Sequence, residues 1–133
     1  MLDCSVALSW CFEDEARPET DAVLARLAKA RALVPVLWHA ELANAFVVAE
    51  RRGRVTSAQA QSMLAFALRL PIDVDDRPRS PTISAVVAVA RAHRLTGYDA
   101  FYVELALSRS LPIATADAAV RKAAVELGIR SLV

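Results

Sequence analysis

Thr96-Gly97-Tyr98-Asp99-Ala100-Phe101-Tyr102-Val103-Glu104-Leu105-Ala106-Leu107 begins as a helix begins. Thr96 with an acid three residues later is the capping-box pattern, and it stands directly before an apolar run. Asp99 therefore falls in a first helical turn, where free backbone N–H groups and the positive end of the helix dipole favour a carboxylate. Taken alone, such an acid is a cap. A second role depends on which other acids the fold brings to it.

Outward from this helix the chain alternates. On the C-terminal side, Pro112-Ile113-Ala114 reads as a short buried strand, 118–127 as a helix stopped by Gly128, and 129–133 as a final strand. On the N-terminal side, Ser80-Pro81 has the form of a cap followed by proline at the first helical position, with Ile83, Val86, Val87 and Ala90 as the buried face. Before it come a charged loop at 75–79 and a short strand, Ile72-Asp73-Val74. Thr56 and Gln59 form a second capping box, for a helix ending before Pro71. A helix over 38–52 stops at Gly53 and carries Glu41 and Asn44 three apart, on one face. A strand at 33–36, a helix over 19–32, a short helix led by Ser5 and a strand stub at 1–3 complete the pattern.

Strands alternating with helices argue for a parallel sheet covered by helices, with ligands outside the carboxyl ends of the strands. Asp3 and Asp117 each follow a strand at that edge, and Glu41 and Asp99 lie in first helical turns that begin there. Each acid also has a plain structural role: Asp3 and Asp117 as helix caps, Glu41 and Asp99 as acids at helix N-termini. Gathered in one pocket, the four carboxylates would take up protons or require a cation. An all-oxygen, acid-rich site suits Mg2+ or Mn2+.

Other chemistries fit less well. His39 and His93 read as surface or helix-end residues, and Cys4 and Cys11 have no zinc-type spacing around them. No GxSxG turn surrounds a serine. The only glycines are Gly53, Gly97 and Gly128, too few and too scattered for a phosphate-binding loop. An aspartyl nucleophile at Asp3 lacks the second aspartate two residues on that haloacid-dehalogenase-like phosphatases show. A receiver domain would want a lysine after a late strand, whereas Lys29 and Lys122 fall within helices.

The 133 residues fit a single domain, 1–133, in which folding buries roughly two-thirds of the surface of the unfolded chain. Apolar residues make up 56% of the chain, yet no uninterrupted apolar run nears the ~20 residues of a membrane span. The opening residues lack the pattern of a secretory signal, and two cysteines seven positions apart suit reduced thiols, so a soluble, cytoplasmic protein is expected. Net charge is only +1, and arginine outnumbers lysine fourteen to two, which suits phosphate contacts or a coding bias equally. High apolar content with 6% aromatic residues points to an oligomer or a bound partner chain.

Four segments, Leu2-Asp3-Cys4-Ser5-Val6, Ala40-Glu41-Leu42-Ala43-Asn44-Ala45, Leu95-Thr96-Gly97-Tyr98-Asp99-Ala100 and Ala114-Thr115-Ala116-Asp117, resemble in order and separation the PIN-domain ribonucleases, in particular the VapC toxins of bacterial toxin-antitoxin pairs. No single segment is specific; the four together, spanning essentially the whole chain, carry the resemblance. It implies an α/β fold, a three-layer α/β/α domain with a central, mostly parallel sheet, whose acids Asp3, Glu41, Asp99 and Asp117 bind Mg2+ or Mn2+. Ser5 and Thr115 match hydroxyl positions that orient the carboxylates, and Asn44 matches a position often polar. The implied chemistry is metal-activated water attacking an RNA phosphodiester, with the ions stabilising the developing charge. The implied partners are RNA (a tRNA or rRNA), a small cognate antitoxin and a second copy of the chain as a homodimer. Two features depart from the pattern. The opening strand is short, which would hold Asp3 loosely, and Cys4 is an uncommon neighbour whose side chain is expected to point away from that of Asp3 on an extended strand.

Overall fold

Proline and glycine mark many of the element ends in the structure, a computed structural model that describes residues 1–77 and 79–133. Asp3 caps α1 (Cys4–Ser9), accepting a hydrogen bond from the Ser5 N–H, and a 3-10 turn follows at Glu13–Glu15. Helix α2 (Pro18–Leu27) starts with proline at its first position, where no N–H is needed. It stops well short of the expected end at 32. There strand pairing overrides the helix propensity of the alanine-rich tail: Ala32 N donates to Pro71 O at 2.9 Å, and Arg31 forks onto the Asp73 carboxylate. Strand β1 (Ala32–Val34) consequently begins one residue before the expected 33–36 and ends at Val34, ahead of Pro35.

Helix α3 (Trp38–Arg51) ends before Gly53, whose φ of +68° is the left-handed conformation that glycine adopts without a Cβ clash. Helix α4 (Ser57–Ala67) has the full capping box between Thr56 and Gln59. Strand β2 (Ile72–Val74) pairs in parallel with β1, Ala32 opposite Ile72 and Val34 opposite Val74. Helix α5 (Arg79–His93) starts before Ser80, so Ser80 is not its cap. Pro81 sits inside the first turn, where a missing N–H is equally harmless, and proline there does not fix the first position. Pro78, within the expected charged loop, lies outside the described residues. Helices α6 (Gly97–Ser108) and α7 (Ala118–Glu126) complete the chain.

Backbone hydrogen bonds extend the β1–β2 pair into a larger sheet. Leu2 N donates to Leu33 O, Asp3 N to Ala114 O and Ala114 N to Met1 O, with Leu2 bridging Ala114 in parallel. Ile113 N then donates to Arg130 O, and Ile113 bridges Ser131 in parallel. The order across the sheet is β2, β1, residues 1–3, residues 113–114, then residues around 131. Successive connections therefore leave the opening segment on opposite sides, and the crevice between residues 1–3 and 113–114 is the switch point of the fold. The fold is α/β, a three-layer α/β/α arrangement around a mostly parallel sheet.

Trp38, Tyr102, Leu2, Leu42, Leu105 and Ile113 are fully buried in the core. The expected apolar face of α5 is only partly realised: Val86 is buried, whereas Ile83 and Val87 are 47% and 40% exposed. Ile83 instead borders an open cavity of about 630 Å³ that it shares with Val36, Phe101 and Leu105. No described helix is long and apolar enough to cross a membrane.

A charged clamp fixes α6 to the exit of β2. Arg77 places both terminal nitrogens on the buried Glu104 carboxylate, at 3.1 and 2.7 Å, and its Nε on Asp75 at 2.8 Å. Ser108 and Arg109 of the same helix end join the network through Arg77 and Asp75. Removing one partner strands the other charge in a poorly solvated place, the costly way to break such a pair. Arg77→Ala should lower unfolding free energy by on the order of 3 kcal/mol in urea denaturation, and Arg77→Met with Glu104→Leu should restore most of it. A loss of under about 0.5 kcal/mol for Arg77→Ala, the usual size for a surface change, would show that the clamp is solvated.

Candidate active site

The crevice at the switch point is held by polar bonds between its two sides. Asp3, 7% exposed, accepts from the Ser5 N–H on Oδ1 at 3.0 Å and from the Thr115 hydroxyl on Oδ2 at 2.5 Å. The Thr115 Oγ1 also accepts from Asp117 N at 3.1 Å, and the Ser5 hydroxyl oxygen accepts from Ala116 N at 3.1 Å. The two hydroxyls thus tie residues 3–5 to residues 115–117. Despite its short opening strand, Asp3 is not loosely held, because the adjoining backbone is bonded on both flanks.

The other three acids stand at helix starts and are coupled in pairs, Asp117 with Asp3, and Glu41 with Asp3 and with Asp99. Asp117 is the cap of α7, its Oδ1 accepting from Ala119 N and Val120 N at 2.7 and 2.9 Å. Asp99 sits in the first turn of α6, where its N–H donates to Thr96 Oγ1 and its Oδ2 accepts from the Thr96 hydroxyl at 2.7 Å. The capping box is therefore closed by the threonine hydroxyl itself, not by its backbone N–H. Glu41 lies in the first turn of α3, half-buried, with Oε2 accepting a hydrogen bond from the Tyr102 hydroxyl. Asn44 is exposed one turn on, and lines with Glu41, Leu37, Ala40 and Tyr98 a cleft of about 450 Å³.

Electrostatics link the four acids. Burial raises the Asp3 carboxyl above its ordinary value, against hydrogen bonds from Thr115 and Ser5 that lower it, and the Asp117 charge raises it further. Burial likewise raises Glu41, against the Tyr102 hydrogen bond, with Asp3 and Asp99 both adding to the rise. No arginine or lysine enters among these causes. The donor set is all oxygen, negatively charged and held by neutral groups, which is the chemistry that suits Mg2+ or Mn2+. Among the described residues, no three acids are drawn together closely enough, as arranged, to enclose an ion by themselves. An ion here would take the remainder of its shell from water or a phosphate, as Mg2+ commonly does.

Cys4 differs from its expected placement. It opens α1 and does not extend the strand, and its thiol is raised by burial and then by the charges of Glu41 and Asp3, which it consequently faces. Cys11 is also buried and free, its thiol pushed up to about 11 by burial. Burial thus keeps both thiols protonated at neutral pH. His39 is exposed, and His93 pairs with Glu126 away from the acids.

Two groups that spacing did not mark bear on the site. Tyr102 stands three residues after Asp99 on α6; a tyrosine within an apolar run is the available signal, since a buried phenol needs a partner. Arg121, one turn into α7, sends Nη2 to Ala116 O at 3.4 Å, while its buried Nε has no protein partner. A family model described as PIN domain matches residues 1–126 of the chain. No curated protein matches it.

The raised carboxyls set a pH dependence. An acid whose folded value exceeds its unfolded one costs stability while charged. That cost is full above the raised value and is relieved as pH falls toward the unfolded value, 3.8 for Asp3 and 4.5 for Glu41. Asp14 and Asp73, lowered by hydrogen bonds from Arg54 and Arg31, act in the opposite sense and only below about 4. The Met1 ammonium, lowered to about 6 by burial, also acts in the opposite sense, costing stability as pH falls from about 8 to about 6. In differential scanning fluorimetry without divalent ions, the acids' share is therefore read as the difference in melting temperature between Asp3→Asn and wild type. That difference should grow in the variant's favour as pH rises from about 5 to about 7.5. Saturating Mg2+ at the higher pH should shrink it by stabilising wild type. A difference that stays constant or falls across that window would contradict the assignment of direction.

Proposed function

The chain belongs to the PIN domain family, whose members are generally divalent-metal-dependent nucleases, and from that premise we propose that it is a Mg2+- or Mn2+-dependent endoribonuclease acting as the toxin of a toxin-antitoxin pair. In this reading residues 1–133 form one domain, Asp3, Glu41, Asp99 and Asp117 hold the ion, and Ser5, Thr115 and Asn44 support them. The observation that supports it is the chain of like-charge couplings among acids of separate elements, Asp117 to Asp3, Asp3 to Glu41 and Glu41 to Asp99, with no basic side chain among the causes that shift Asp3 or Glu41.

The bound ion would activate water toward the phosphodiester and stabilise charge developing on the phosphate oxygens. The chain's own residues do the holding. Asp3 is fixed across the switch point by Ser5 and Thr115, and Asp117 and Asp99 are fixed on rigid helix starts. Tyr98, 67% exposed beside Glu41, offers an aromatic face on which an unpaired base stacks, favouring single-stranded regions of an RNA such as a tRNA or rRNA. The apolar cavity near Val36 and Ile83 is the surface on which an antitoxin segment or a second copy of the chain would dock. Free, buried thiols fit a cytoplasmic protein.

A second reading is a non-catalytic PIN-fold binding module working with a partner. It requires no bound ion, and among the described residues no three of the acids form a group that could hold one unaided. One experiment separates the readings. The antitoxin-free protein is incubated with Mg2+ and, side by side, folded RNA, DNA and a phosphomonoester. Cleavage of RNA that Asp99→Asn slows by more than about 100-fold, the upper end for an outer-shell change, supports the endoribonuclease. Equal intactness of RNA with wild type and Asp99→Asn removes the catalytic reading and leaves the binding module. Preferential turnover of DNA or the phosphomonoester reassigns the same ion chemistry to a DNA nuclease or a phosphatase.

A further inference from the structure

Each acid of the crevice has an oxygen engaged by a neutral donor: Asp3 by Thr115 and Ser5, Asp99 by Thr96, Asp117 by the first turn of α7, and Glu41 by Tyr102. A neutral donor takes up a lone pair without cancelling charge, which an arginine would do. For Glu41, Asp99 and Asp117, no donor among the described residues reaches the second carboxylate oxygen. We propose that Tyr102 is a positioning residue that directs Glu41 to bind through one oxygen, and so biases the acid cluster toward a small octahedral cation over Ca2+. The inference rests on the divalent-ion reading above.

The geometry favours tyrosine at this place. Its ring is 2% exposed, locked in the core, so the hydroxyl is delivered from a fixed point on α6 to a side chain of α3. Glutamate has three rotatable bonds and, unrestrained, turns freely enough to present both oxygens to one ion. Ca2+ takes six to eight oxygens and often accepts carboxylates through both, whereas Mg2+ demands near-ideal octahedral geometry and keeps several waters. A phenol on Oε2 takes one lone pair and fixes the direction of the carboxylate. Contact through Oε1 alone, the form that the smaller ion uses, keeps that bond, whereas chelation through both oxygens strains it. Asp3, with a donor on each oxygen, would bind through remaining lone pairs.

The test is calorimetric titration of the full chain with Mn2+ and separately with Ca2+, for wild type and Tyr102→Phe. Phenylalanine preserves the buried ring and removes only the donor. Mn2+ affinity should fall about 10-fold, the lower end for loss of an outer-shell partner, while Ca2+ affinity holds or rises, moving the ratio toward Ca2+. An equal fall for both ions, or no change, overturns the proposal. Should Tyr102→Phe lack a cooperative melt, the wild-type chain labelled with 3-fluorotyrosine carries the test. Its two tyrosines, the exposed Tyr98 and the buried Tyr102, are assigned by comparison with Tyr98→Phe. Ca2+ should shift the Tyr102 signal more than Mg2+ does, because binding through both oxygens strains the bond from the phenol to Oε2. Equal shifts overturn the proposal. Wild type that binds neither Mn2+ nor Ca2+ removes the divalent-ion reading and this inference together; wild type that binds Mn2+ with an unchanged ratio in Tyr102→Phe removes this inference alone.

Discussion

Carboxylates that face one another without a cation between them repel, and the crevice of this fold is arranged around that repulsion. Asp3 and Glu41 are both pushed toward their protonated forms, by burial first and by neighbouring acids next. Helix α6 shows that the chain is able to neutralise acids when charge has no use. At Glu104 and Asp75 it supplies Arg77 and Arg109, and the acids are matched by guanidinium groups. At Asp3, Glu41, Asp99 and Asp117 the described residues supply hydroxyl and backbone N–H donors. Acids thus receive opposite treatment along one helix, and the end left without a guanidinium partner is the one that the proposed ion-binding reading uses.

Capping and ion binding are not competing roles for these acids. A carboxylate has two oxygens, and the helix start uses one of them. Asp117 gives Oδ1 to the N–H groups of α7 and Asp99 gives Oδ2 to Thr96, which leaves the other oxygen of each directed by a rigid element. Cap geometry is therefore the means of aiming. It also explains why all four acids sit at or near helix N-termini, where backbone dipoles favour negative charge before any ion arrives.

Local chemistry made much of this legible. The capping pattern at Thr96, the box at Thr56 and Gln59 and the glycines at 53 and 128 are decided within a few residues of chain, and the structure has them as expected. The alternation of elements likewise gave the parallel sheet and the edge to which Asp3 and Asp117 belong. What periodicity did not reveal depends on partners distant in sequence. The end of α2 is set by the pairing of Ala32 with Pro71 and of Arg31 with Asp73. The exposure of Ile83 is set by an open cavity, though its spacing fits a buried face. Tyr102 and Glu104 stand in an apolar run and look like part of it. Only their contacts, with Glu41 and Arg77, show that one end of that run serves the site and the other anchors it.

Helix α6 joins these two demands. Residues three apart on a helix share a side, so Asp99 and Tyr102 reach the crevice together, while Glu104 and Ser108 lie four apart on another side and grip Arg77. A helix packed by apolar contacts alone keeps some freedom to rotate about its axis, because methyl groups slide past one another at little cost. A buried carboxylate in a forked guanidinium grip does not slide, since a small rotation breaks directional bonds between charged groups. Such a pair adds little net stability, because desolvating both charges offsets most of their attraction. Its value here is angular. It fixes the rotation of α6, and that rotation determines whether the Tyr102 hydroxyl meets Glu41 or the adjacent wall of the cleft.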